Sequence, residues 1–179
     1  MSNRPLQSAV GGALLRRATP ADAPVLGTLR AMMRAEGGAH APNIIERFER
    51  SCAAYFTDAF SRAEPHLRAW VACDAERVVG AAVLMILPTL PRLGSTGSVD
   101  GRVRDVYVLP THRRRGIARA LMARVLEEAR TLRIDRLSLG ASAIGRPLYE
   151  SLGFVTKRDE MLYEGKLTGE PFDEGAQIG

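Results

Sequence analysis

The sequence predicts a single α/β domain of mixed α+β type, in which helices flank a central sheet. The chain has 179 residues, of which 46% are hydrophobic; that suffices for one sizeable core and falls short of two. Apolar residues recur at helical spacing in some stretches and gather into short strand-forming runs in others. The longest apolar run, Val78 to Leu87, is about half of the roughly 20 residues a membrane-spanning helix requires, so no transmembrane segment is expected.

The elements follow in order. Residues 1–13 read as a loose leader with no apolar secretory block, and a cytoplasmic location is therefore expected. A short extended segment from Leu14 ends at Thr19-Pro20-Ala21-Asp22, where a threonine cap, a proline and an acid open a helix. Val25, Leu26, Leu29, Met32 and Met33 form its apolar stripe, which Gly37-Gly38 ends. Asn43 caps a second helix with Ile44, Ile45, Phe48, Cys52, Phe56 and Phe60 on one face. Leu67 to Cys73 and Val78 to Leu87 read as a hairpin, followed by a long loop from Pro88 to Gly101. Val103 to Leu109 is a strand, and Gly116 opens a helix striped by Ile117, Leu121, Val125 and Ala129. Leu137 to Leu139 is a short strand, Pro147 to Gly153 a short helix, and Phe154 to Thr156 and Met161 to Tyr163 are strand-like. The domain is expected to span 14–165, with a polar tail over 166–179.

Composition narrows the function classes. Two cysteines, Cys52 and Cys73, read as buried thiols and provide no disulfide framework. His40, His66 and His112 have no ligand spacing to one another or to the cysteines, so no metal is expected. A net charge of +5 invites a nucleic-acid partner. The densest basic cluster, however, is Arg113-Arg114-Arg115, and the aromatic residues form no array interleaved with basic ones, which argues against that partner.

That cluster sits in a strand, turn and helix start between Val106 and Arg119, an arrangement that aims backbone N–H groups at an anion. Gly116 permits close approach of a phosphate, and Ala118 leaves the first helical turn unobstructed. The Gly-Lys-Ser/Thr of a P-loop and the Gly-x-Gly-x-x-Gly of a dinucleotide fold are both missing from this segment.

Val106-Tyr107-Val108-Leu109-Pro110 followed by Arg113-Arg114-Arg115-Gly116-Ile117-Ala118 resembles the strand and Arg/Gln-x-x-Gly-x-Gly/Ala loop of the GNAT-superfamily N-acetyltransferases. Leu148-Tyr149-Glu150-Ser151-Leu152-Gly153-Phe154 is similar to that family's second motif. The resemblance implies a mostly antiparallel sheet splayed at a parallel strand pair. It also implies acetyl-CoA as co-substrate and direct transfer of acetyl to a primary amine, either a small molecule or a protein amino group. The backbone of Val106, Tyr107 and Val108 would pair with the pantetheine arm, and the Val108 N–H would stabilise the oxyanion. Arg113, Arg114, Arg115, Gly116, Ile117, Ala118 and Arg119 would hold the pyrophosphate. Tyr149 would protonate the departing thiolate. Ser142 stands where many members carry an asparagine, and Arg146 where a guanidinium meets a CoA phosphate. Asp105 is the first candidate base and Asp100 a remote second, because Arg102 and Arg104 occupy the positions where other members place a glutamate. Arg92, Arg102 and Arg104 hint at an acceptor that also carries a carboxylate or phosphate. A homodimer fits the resemblance. The competing reading is a catalytically idle relative that uses its basic surface for regulation or nucleic-acid binding.

Overall fold

The computed structural model describes residues 8–63, 66–94 and 99–157. These fall into two compact units, one up to Gly140 and one from Ala141 onward. In the first unit, β1 (Ser8–Val10) and β2 (Ala13–Arg17) join through Gly11-Gly12. Both glycines have positive φ, +60° and +84°, as a two-residue hairpin turn requires. The segment expected to be a loose leader thus already contributes a paired strand.

Beyond β2, Asp22 closes a capping box with Thr19 and receives two 2.7 Å hydrogen bonds from the Arg16 guanidinium. These donors hold its carboxyl at about 2, below the ordinary carboxylate range, although burial works against them. A 3-10 turn over Pro20–Asp22 leads into α1 (Ala23–Glu36), which packs against α2 (Pro42–Ser61). Gly27 lets the two helices touch, because a Cβ there would lie 2.8 Å from the Ala53 nitrogen. Leu26 and Leu29 are buried as their spacing predicts, whereas Met32 is 42% exposed because it turns off the buried stripe.

The hairpin of β3 (Leu67–Asp74) and β4 (Arg77–Pro88) turns at Ala75-Glu76. β5 (Val99–Val108) begins earlier than its apolar content suggests, since pairing with β4 extends back to Val99. α3 (Ile117–Thr131) buries Ile117, Leu121 and Val125 to 1% exposure or less, each worth about 1.5–3 kcal/mol of apolar transfer. α3 then carries the chain to β6 (Arg136–Leu139), which pairs parallel to β5. The sheet order is β1-β2-β3-β4-β5-β6, antiparallel except for that last pair. The predicted mixed α/β class and the parallel pair are therefore present. Both cysteines are buried and unpaired.

In the second unit, α4 (Arg146–Ser151) ends at Gly153, whose φ is +91°. Phe154 to Thr156 form no strand, and the Phe154 N–H instead closes the helix end on the Tyr149 carbonyl at 3.0 Å. Met161 to Tyr163 and the tail over 166–179 lie outside the described residues. Among the described residues no helix is long and apolar enough to cross a membrane, and no cluster of histidine, cysteine and carboxylate side chains could hold a metal ion.

Candidate active site

β5 has two halves with different surroundings. Asp100 to Val103 pair on one side with β4 and on the other with β6, whose register ends at Val103 opposite Leu139. Arg104 to Val108 run on beyond β6, so among the described residues that edge of the sheet is open. Within this second half the β4 register jumps from Val83 opposite Arg104 to Ala81 opposite Tyr107, which inserts one extra residue into β5. Asp105 absorbs the bulge with φ +52°.

The bulge redirects side chains. Arg104 lies in the field of Arg30 and Arg34 of α1, and its successor Asp105 pairs directly with Arg30. Two consecutive residues thus serve one face, where strict alternation would separate them. Tyr107 faces α1 as well and donates from its hydroxyl to Glu36 Oε1 at 2.6 Å. Burial, and then the Glu36 carboxylate, push the Tyr107 phenol up to about 12.

The open edge also fixes where backbone groups point. The Leu109 N–H donates to the Val79 carbonyl at 2.9 Å, and Gly80 stands opposite Val108. In an antiparallel ladder bonded pairs alternate with non-bonded ones, so the N–H and C=O of Val108 point away from β4. The Val108 carbonyl confirms this, since it accepts a 2.8 Å hydrogen bond from Arg113 Nε. The Val108 N–H therefore looks out over the unpaired edge.

After β5 the chain makes a 3-10 turn over Pro110–His112, and Arg114 (φ +63°) and Gly116 (φ +81°) then take left-handed conformations around Arg115. Gly116 is the N-cap of α3 and no side chain caps the helix, so the ladder begins only with the Ala120 N–H on the Gly116 carbonyl at 3.0 Å. The orphan N–H groups of the first turn and the positive helix end are of the kind that can receive an anion through main chain alone.

The arginines that mark this loop do not all serve it as free cations. Arg113 donates to both Glu36 oxygens, at 2.7 and 2.8 Å, and its guanidinium lies 5.4 Å from the Tyr107 ring centre. Arg115 donates to the Thr111 carbonyl at 3.0 Å. Arg114 and Arg119 are exposed. Behind the loop stands the β1–β2 turn: a Cβ on Gly11 would lie 2.3 Å from the Arg115 carbonyl oxygen, and one on Gly116 would lie 3.4 Å from Val10. The hairpin that buttresses the loop was signalled only by the Gly-Gly dipeptide. Glu36, which ties α1 to Tyr107 and Arg113, carried no sequence signal.

Asp105 is mostly buried, with 10% of its side chain exposed. Burial raises its carboxyl above the ordinary value, while Arg30, Arg104 and Arg34 pull it back. Asp100 lies elsewhere, in an ion pair with Arg92 at 2.7 Å. In the second unit Tyr149 is buried, with its ring edge-on to Phe154 at 6.1 Å, and burial raises its phenol. The Ser142 hydroxyl accepts the Gly145 N–H at 3.1 Å, and Arg146 donates to Thr156 at 2.9 Å. Both side chains thus support α4.

Comparisons with known proteins agree with this geometry. A sequence model described as the acetyltransferase (GNAT) family matches residues 31–154, from α1 through α4. A glucosamine 6-phosphate N-acetyltransferase of Trypanosoma brucei brucei is 35% identical over 85 residues, which is 48% of this chain and 56% of that protein. The chain spans a little over half the length of the curated relatives it matches. The solved structure of a predicted acetyltransferase with acetyl-CoA from Clostridium acetobutylicum superposes with a TM-score of 0.72 at 25% identity, covering 84% of this chain and 94% of that one. A GCN5-related N-acetyltransferase from Ralstonia eutropha JMP134 shares the fold, with a TM-score of 0.72, 23% identity, and coverage of 83% and 96%.

Proposed function

Because the chain belongs to the acetyltransferase (GNAT) family, we propose that it transfers acetyl from acetyl-CoA to a primary amine by direct attack in a ternary complex. The observation that carries this reading is the unpaired second half of β5 running into the uncapped N-terminus of α3. An extended pantetheine arm can add to that edge as a strand would. The pyrophosphate then meets the N–H groups of Arg114 to Arg119, with Arg113 holding the strand end and loop in place through Val108 and Glu36. The outward N–H of Val108 supplies a fixed dipole for the carbonyl oxygen of the thioester as it becomes an oxyanion.

The acceptor enters as an ammonium and loses a proton to Asp105, whose raised carboxyl sits on the α1 side of the strand, so that the free amine can attack. Attack forms the new C–N bond, and collapse of the tetrahedral intermediate breaks the C–S bond. Tyr149 gives its proton to the departing thiolate, a transfer that is uphill by only about 1.5 pKa units on ordinary values, since a phenol titrates near 10 and a thiol near 8.5. Burial raises the Tyr149 phenol further and keeps it protonated until the thiolate forms. Ser142 and Arg146 act by supporting the turn and helix that carry Tyr149.

Calorimetry with acetyl-CoA tests the donor site. The wild type should bind, and Gly116→Glu, which puts a charged side chain at a left-handed position inside the anion site, should lose binding by about 100-fold or more. Binding by neither protein, or equal binding by both, overturns the assignment. Tyr149→Phe should bind acetyl-CoA normally yet release CoA about 100-fold more slowly with an amine present; unchanged turnover removes Tyr149 from the chemistry.

A further inference from the structure

Most arginines with resolved partners are matched one to one with a carboxylate. Arg16 is paired with Asp22, Arg62 with Asp58, Arg92 with Asp100 and Arg113 with Glu36. The face of β5 turned toward α1 breaks that rule. Arg30 and Arg34 lie one helical turn apart on α1, and Arg102 and Arg104 lie two residues apart on β5. Arg104 lies in the field of the other three, and among the described residues Asp105 is the carboxylate that acts on it. Asp105 itself is taken by Arg30.

Among the described residues, Arg30, Arg34 and Arg104 therefore act on the one carboxylate of Asp105, and Arg102 adds its charge beside Arg104. Arg30 and Arg102 are part-buried and Arg34 and Arg104 are exposed, and holding these like charges together has a cost: burial, then Arg102 and Arg30, lower the Arg104 guanidinium below its ordinary value. Arg102 Nε is buried and has no hydrogen-bond partner among the described residues, which wastes a strong donor. The Phe48 ring, 5.6 Å from the Arg30 guanidinium, bounds this place on the α2 side. Arg92 is spent on Asp100, so the structure replaces it in the anion-reading group with Arg30 and Arg34.

Resting on the acetyl-transfer reading above, we infer that Arg30, Arg34, Arg102 and Arg104 form an anion subsite for the acceptor, and that the acceptor is an amine carrying a phosphate monoester. A dianionic group answers the excess of positive charge where a single carboxylate would leave most of it in place, and planar guanidiniums suit phosphate oxygens. The same cluster contains Asp105, so the ammonium and the phosphate of one molecule find opposite charges side by side. The amine goes to the carboxylate that deprotonates it, and the phosphate goes to the arginines that hold it.

The test has a kinetic arm and a binding arm. CoA release is measured with glucosamine against glucosamine 6-phosphate, ethanolamine against O-phosphoethanolamine, and glycine as the carboxylate probe, for the wild type and for Arg34→Gln/Arg104→Gln. The wild type should favour the phosphorylated member by tenfold or more in kcat/KM, and the double variant should lose most of that preference. Equal rates within each pair, a preference for glycine, or a variant that lowers both members alike overturns the inference. Thermal shift with inorganic phosphate, against chloride at matched ionic strength, reads the site without turnover: phosphate should raise the melting temperature of the wild type by clearly more than that of the variant, which keeps only the anion site at the start of α3. If acetyl-CoA binds while phosphate shifts both proteins alike and phosphorylated amines gain nothing, the subsite falls and the acetyl-transfer reading stands. If acetyl-CoA does not bind but the phosphate shift is present and reduced in the variant, the acetyl-transfer reading falls and the anion site stands. A steeply salt-dependent affinity for RNA, lost in the same variant and replacing the small-molecule preference, would assign the cluster to a nucleic acid and overturn the acceptor subsite.

Discussion

The two halves of β5 are the same strand under different constraints. Asp100 to Val103 are hydrogen-bonded in register to a strand on each side, and Gly101 and Val103 are buried. Arg104 to Val108 keep only the β4 neighbour, carry the bulge, and contain the left-handed Asp105. Pairing on both sides satisfies the backbone and leaves it nothing to offer a ligand. The half that ends its pairing early presents an N–H outside the β4 ladder, a carboxylate off its alternating face and a carbonyl gripped by Arg113. The proposed chemistry draws on the half where the ladder is incomplete, and stability on the half where it is complete.

The sharpest way to break this comparison is Val108→Pro. Its N–H lies outside the β4 ladder, and proline is tolerated in strands at such positions, although some burial of the valine is lost. Removing the proposed oxyanion donor should lower kcat by about 100-fold or more, in line with the loss of one such donor elsewhere. The fold and acetyl-CoA affinity should be retained, as read by circular dichroism and calorimetry. A kcat within a few-fold of the wild type would show that this N–H does not face the reacting carbonyl.

Asp105→Asn probes the bulge itself. Asparagine tolerates the left-handed conformation, so the backbone should survive while the charge is lost. A base works only when deprotonated, and burial raises the Asp105 carboxyl, so wild-type kcat/KM should fall as the pH drops through a value above the ordinary carboxylate range. The variant should lose about tenfold in kcat/KM at neutral pH, and that acid limb should disappear. A limb unchanged in the variant would assign it to another group.

How much of this was legible in the sequence depends on how far apart the interacting residues lie. The strand, turn and helix around Gly116 were readable because their signals are local: strand formers, a glycine, then Ile117, Leu121 and Val125 at helical spacing. The hairpin of β3 and β4 was readable for the same reason. The bulge was not, since it exists only as a mismatch between β4 and β5, and nothing in Arg104-Asp105-Val106 announces it. Arg92 looked like a ligand-reading arginine until Asp100, eight positions away, claimed it. Glu36 meets Arg113 across 77 positions, and Arg30 meets Asp105 across 75. Pairings of that kind are properties of the folded chain. Main-chain sites built on local turns can be read from a sequence, whereas side-chain sites assembled from distant elements need the fold.

The smallest expected effect comes from the doubly paired half and completes the contrast. A Cβ on Gly101 would lie 2.7 Å from Leu137 Cδ1, 3.0 Å from Ile134 Cδ1 and 3.1 Å from Leu84 Cδ1. Those atoms are the flexible tips of side chains, so Gly101→Ala should be accommodated by small rotations at a cost of about 1 kcal/mol, the low end for overpacking a core. Part of that cost is offset because alanine has less backbone freedom to lose on folding than glycine. Urea unfolding should show the midpoint shift, while kcat and the KM for acetyl-CoA stay within about twofold of the wild type. If Gly101→Ala changed kcat as strongly as Val108→Pro, the two halves of β5 would be one mechanical unit, and the division of labour between paired and unpaired backbone would be wrong.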